Sequence, residues 1–147
     1  MDTIDHPVFG RLTWNNEVET WEGKCSLGTS IVELWVHSNA YFTGVAGNRE
    51  IDESCEQILS NVQSRHAEYV TKAIAYVQSE LPHWFDSKEE LKTQSLIQHM
   101  RIETVQIRPR GGASLWFHGP DTIYESGHVI EGTVELDGSL VQFDLQG

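Results

Sequence analysis

"HVIEGTVELDGSLVQFDLQ", residues 128–146, is two alternating apolar–polar runs joined by Asp137–Gly138. A period of two marks a half-buried strand, and Asp-Gly between two such runs predicts a two-residue hairpin turn with both turn residues at positive φ. That turn places Leu136 opposite Ser139, Val134 opposite Val141, Gly132 opposite Phe143 and Ile130 opposite Leu145. Each pair is apolar or leaves room for a ring, so the register is self-consistent. His128, Ile130, Val134 and Leu136 then share the inward face, while Glu131 and Asp144 stand opposite each other on the outward one.

Upstream, "TVQIRP" (104–109) turns through Gly111–Gly112 into "ASLWFH" (113–118). There Leu115 and Phe117 form the inward pair, which turns Trp116 and His118 outward. Near the start, "VFGRLTW" (8–14) and "ETWEGKCSL" (19–27) read as short strands around the turn-rich "NNEV". "SIVELWVHS" (30–38) alternates cleanly, with Val32, Leu34 and Val36 on one face and Ile31, Glu33, Trp35 and His37 on the other.

Residues 52–81 change the period. Cys55, Ile58, Leu59, Val62, His66, Tyr69, Val70, Ala73, Ile74, Val77 and Leu81 recur at three-and-four spacing, the stripe of a long amphipathic helix. Asp52 can cap its start and Pro82 stops it. "DSKEEL" has capping-box spacing (Ser87 with Glu90, Asp86 with Glu89) and predicts a second, shorter helix. Strands, helices, strands in that order predict a single α+β domain over residues 1–147. Its antiparallel sheet, an N-terminal hairpin plus a C-terminal meander, packs against one long helix and one short one.

A chain of 147 residues is long enough to bury a core without disulfides or metals. Lys and Arg number 10 against 22 Asp and Glu, a formal net charge of -12, which disfavours nucleic acid and suits a basic protein partner. The opening "MDTIDHPVFG" has no basic or apolar signal-peptide region, and no stretch approaches a membrane span; both point to the cytoplasm. Cys25 and Cys55 lack ligand spacing and read as reduced thiols.

The stretch richest in reactive groups is "FHGPDTIYESGH" (117–128), with His118, Asp121, Tyr124, Glu125 and His128. The register puts His118 and His128 on opposite faces of the sheet, poor geometry for a shared metal, whose ligands must converge within about 2 Å of one ion. No HExxH, paired CxxC, G-x-S-x-G or phosphate-binding glycine loop accompanies them. A connecting loop is the favoured reading, and no cofactor or metal is implied. The alternative is a small metal-assisted hydrolase using His118, His128, Asp121 and Glu125. His66, within the apolar stripe, reads as a neutral core histidine bonded through one nitrogen; the alternative has it meeting His128 in a buried polar site.

Trp35 and Trp116 fall opposite the apolar sets of their strands, where half-exposed aromatics among acids compose a protein-binding patch. After Arg110 the chain has no Lys or Arg, while Asp121, Glu125, Glu131, Glu135, Asp137 and Asp144 follow. Glu131 opposite Asp144 is a destabilising pair unless a cation intervenes, either Arg108 or one from a partner. Trp35, Trp116, Glu131, Glu135 and Asp144 are therefore the candidate partner-binding residues, and His66, His118 and His128 the candidate polar site.

Phe117, the segment Gly127–His128–x–Ile130, the Asp137–Gly138 turn and Gly147, with "HPVFGRLTW" and "WEGKCSL" near the start, carry a resemblance. They resemble a group of uncharacterised bacterial domains, some of them regarded as candidate immunity proteins of polymorphic toxin systems. The resemblance implies a small strand-and-helix fold and a toxin-neutralising setting, and it transfers no catalytic residue. The functional expectation is a non-enzymatic cytoplasmic domain that binds a basic protein.

Overall fold

In the computed structural model, which describes residues 2–124 and 127–147, eight strands form one open sheet whose spatial order follows the chain. They are β1 (Thr3–His6), β2 (Gly10–Asn15), β3 (Thr20–Leu27), β4 (Ser30–His37), β5 (Arg101–Arg108), β6 (Gly112–His118), β7 (Val129–Val134) and β8 (Leu140–Gln146). The fold is α+β. Neighbours run antiparallel except β4 and β5, which are parallel, so the expected antiparallel sheet needs one correction. A parallel pair requires a long crossover. Here it contains α1 (Ala40–Thr43), α2 (Ser54–Glu80), a 3₁₀ turn (Pro82–Trp84) and α3 (Thr93–Leu96). α4 (Asp121–Tyr124) interrupts the β6–β7 connection.

α2 spans 27 residues and lies across one face of the sheet, touching β3 and β5 through β8. Its stripe of Ile58, Leu59, Val62, Tyr69, Ala73, Ile74 and Val77 is buried against Val32, Leu34, Val36, Leu115, Phe117, Ile130 and Val134. Asp52 serves the helix start: its carboxylate accepts the Ser54 backbone N–H at 3.1 Å and its carbonyl accepts that of Cys55 at 3.1 Å. Val70 departs from the expected burial and is only half-buried, because it borders an open cleft with Leu27, Gly28, His66 and Met100.

The second helix forms later than the capping-box spacing predicts. Around "DSKEEL" the backbone makes i→i+3 turn bonds, Leu91 to Lys88 and Lys92 to Glu89, each at 3.2 Å. Gln78 Nε2 of α2 donates to the Leu91 carbonyl at 2.8 Å and ties this segment to the long helix. A single α turn follows at Thr93–Leu96. A further strand, β1, precedes the expected N-terminal hairpin and forms the sheet edge, paired with β2 from Thr3↔Thr13 to His6↔Gly10.

The terminal hairpin keeps the expected register over most of its length: Ile130↔Leu145, Glu131↔Asp144 and Gly132↔Phe143. Gly132 suits the position, since a Cβ there would lie 3.0 Å from Phe143 Cε1 and 3.3 Å from Phe117 Cε2 and push on both rings. The turn differs. Glu135 N–H donates to the Ser139 carbonyl at 2.8 Å and Gly138 N–H to that of Glu135 at 2.9 Å, giving a three-residue loop, Leu136-Asp137-Gly138. Only Gly138 takes positive φ, 90°, the left-handed glycine that follows a type I turn. Val134 therefore pairs with Leu140, and a bulge at Val141 restores the register. Leu136 and Val141, expected inward, are 42% and 52% exposed.

Candidate functional site

The sheet face turned away from α2 is organised in cross-strand rows. One row runs Glu22, Trp35, Gln106, Ser114, Thr133, Gln142, and its neighbour runs Lys24, Glu33, Thr104, Trp116, Glu131, Asp144. β1 and β2 extend the sheet sideways. Trp35 stays 36% exposed and Ile31 on the same strand 65%. Trp35, Trp116, Glu131 and Asp144 thus share this face as expected, whereas Glu135 lies exposed in the hairpin turn beyond β7.

Neutral donors hold the two opposed carboxylates. Ser114 Oγ donates to Glu131 Oε2 at 2.7 Å, Gln146 Nε2 to Glu131 Oε1 at 3.1 Å, and Gln142 Nε2 to Asp144 Oδ2 at 2.8 Å. Among the described residues no Lys or Arg bridges them. Arg108 is too far along its strand: the Trp116–Glu131 row crosses β5 at Thr104, four residues or about 13 Å away at strand rise. The expectation that Arg108 could neutralise the pair is corrected by that register.

A hydrogen-bonded chain crosses three strands beside them. Trp116 Nε1–H donates to Gln106 Oε1 at 3.0 Å, and Gln106 Nε2 lies 2.8 Å from His37 Nε2. The indole nitrogen can only donate, so it fixes the amide orientation; Gln106 must then donate to His37, whose Nε2 must be an unprotonated acceptor. Burial and the nearby Arg108 charge both hold the His37 imidazole below its usual protonation range. Tyr41 of α1 packs against the same ring at 5.0 Å.

The three histidines expected as a polar site are dispersed. His118 is outward on β6, its Nδ1 2.9 Å from Glu103 Oε1, with Arg101 3.6 Å from the same oxygen. His128 is half-buried on the helix side, edge-on to Trp84 at 5.0 Å. The two histidines occupy opposite faces. His66 is half-buried rather than a core residue; its Nδ1–H donates to the Gln63 carbonyl at 2.9 Å and its Nε2 faces the Gly28 turn. His66 lies fourteen residues before the end of α2 at Glu80, about 21 Å at helical rise, whereas Trp84 sits in the turn beyond that end, so the site expected from His66 and His128 does not assemble.

Asp121 opens α4 and lines a cleft of about 380 Å³ with Phe85, Glu90 and His99; Glu125 and the Tyr124 side chain lie outside the described residues. Among the described residues no three His, Cys, Asp or Glu side chains gather where they could hold a metal. Cys25 and Cys55 are free and buried, and burial pushes their thiols up to about 11 and about 12, which keeps them protonated and poorly nucleophilic. No helix of the described residues is long and apolar enough to cross a membrane.

The residues missed by sequence reasoning are Gln106 and His37 as partners of Trp116. Strand alternation puts all three outward, but their meeting depends on β4 and β5 becoming neighbours through the α2 crossover. A family model described as "Uncharacterized protein conserved in bacteria (DUF2262)" matches residues 6–145. No curated protein and no solved structure matches the chain.

Proposed function

The chain belongs to that bacterial family, and we propose that its open sheet face is a docking surface for a basic protein, in a non-enzymatic, cytoplasmic role of the immunity type. The carrying observation is the row Trp116, Glu131, Asp144: an outward indole beside two opposed carboxylates that share no cation among the described residues. Opposite charges across an interface speed encounter and fix register, while a central aromatic supplies the desolvated anchor. A guanidinium or ammonium of the partner would relieve the carboxylate repulsion and could lie against the indole face. The -12 net charge adds long-range attraction for a basic surface.

Photocrosslinking from a reactive analogue at position 35 or 116 in bacterial cells, with mass spectrometry of the adducts, identifies the partner. Binding of the purified pair then decides the reading. Expected are a basic partner, tenfold or greater weakening by Trp116→Ala or by Glu131→Gln with Asp144→Asn, and loss of affinity with added salt. A purified pair whose affinity is indifferent to all these changes would refute the proposal.

A further inference from the structure

We infer that the Trp116–Gln106–His37 chain is a proton-operated latch on the open face, releasing the Trp116 indole when His37 takes up a proton. As regulation of the docking surface, this rests on the reading above; the latch itself is a property of the free protein.

Donor and acceptor polarity governs the chain. With His37 neutral, every member is satisfied in one direction: indole N–H to amide oxygen at 3.0 Å, amide N–H to imidazole Nε2 at 2.8 Å. A proton on His37 Nε2 turns that acceptor into a donor facing the Gln106 NH₂. The amide can answer by rotating half a turn, which offers its oxygen to His37. Its NH₂ then faces the indole N–H, and two donors confront each other at Trp116. Gln106 can serve either the protonated imidazole of His37 or the indole of Trp116, but not both. Because the chain is part-buried, the unmade bond is not fully replaced by water.

The surroundings of His37 define what can set its titration. β5 contributes Arg108, whose positive charge opposes protonation, and α1 contributes the Tyr41 ring at 5.0 Å. Across the β3–β4 pair stands Thr20, a buried neutral residue. Among the described residues, no carboxylate is one of the groups that displace its protonation. The latch therefore stays closed at neutral pH and opens on acidification. At Trp116 the consequence falls on the docking row itself, next to Glu131.

The decisive experiment follows the Trp116 indole N–H and the His37 ring nitrogens of the free protein by ¹⁵N NMR from pH 8 to pH 5. Expected is a common midpoint, at which the Trp116 indole proton loses its hydrogen-bonded shift. Gln106→Glu supplies a carboxylate that accepts from both neighbours, so in that variant the indole shift should persist after His37 protonates. An indole resonance that ignores His37 titration in the wild type overturns the latch. So does a Gln106→Glu indole that still follows it. If the latch operates and no basic partner docks, the docking reading alone falls; if a partner docks and the indole is indifferent to His37, the latch alone falls.

Discussion

The two faces of this sheet are built from the same strands and obey different physics. Toward α2, Val32, Leu34, Leu115, Phe117, Ile130 and Val134 meet a helix stripe with almost no solvent access. On the other side, the intervening residues hold one another through side-chain hydrogen bonds such as Ser114 to Glu131 and Trp116 to Gln106. Packing makes the first face intolerant of lost volume. Donor–acceptor polarity and charge govern the second. A strand with period-two alternation can therefore carry core packing and a polar hydrogen-bonded network on adjacent residues, since the pleat sends them to opposite environments.

The contrast is broken most directly by volume. Ile74→Ala, at 4% exposure on the buried stripe, should destabilise by about 2–5 kcal/mol in chemical denaturation, since transfer and cavity effects add. Val70→Ala, four residues earlier and half-buried, should be clearly milder. Equal losses would mean that α2 is rotated on the sheet relative to this packing.

Acid sharpens the comparison from the other face. His37 is held below its unfolded protonation range, so the unfolded chain takes up its proton first. Its contribution to stability should be full above the unfolded value of about 6.5, decline as pH falls below that, and level off beneath the folded value. Thermal melts of wild type and His37→Gln from pH 8 to pH 5 isolate this residue by difference. A difference that does not vary with pH would remove His37 as a titrating element of the open face.

A smaller effect is expected at the opposed carboxylates. Asp144→Asn keeps an acceptor for Gln142 while removing one of two like charges, and should stabilise the free protein by a few tenths of a kcal/mol, up to about 1 kcal/mol. Destabilisation in the same denaturation assay would reveal that an internal cation already serves the pair. Smallest of all should be Leu136→Ser. With Leu136 in the exposed hairpin loop, the change should stay within about 0.5 kcal/mol. A loss of core size there would restore the inward two-residue-turn register.

The sequence by itself determined the strands' faces, the long helix and most of the hairpin register. Alternation and three-and-four spacing are local periodicities, and Gly132 opposite Phe143 was legible because a glycine leaves room for that ring. It also placed Trp35 and Trp116 outward and Glu131 against Asp144. The capping-box signal at "DSKEEL" misplaced the short helix: i→i+3 turn bonds form there, and the α turn follows at Thr93–Leu96. The Asp-Gly signal found the turn and missed its length, since the bulge at Val141 compensates the extra loop residue and leaves the distal pairing unchanged. Tertiary structure alone decided that β4 and β5 lie side by side and parallel, joined through a crossover containing α2. That adjacency brings His37 to Gln106, which the β5–β6 hairpin already sets beside Trp116. No local pattern encodes it, because which strands become neighbours depends on where a whole helix buries its apolar stripe.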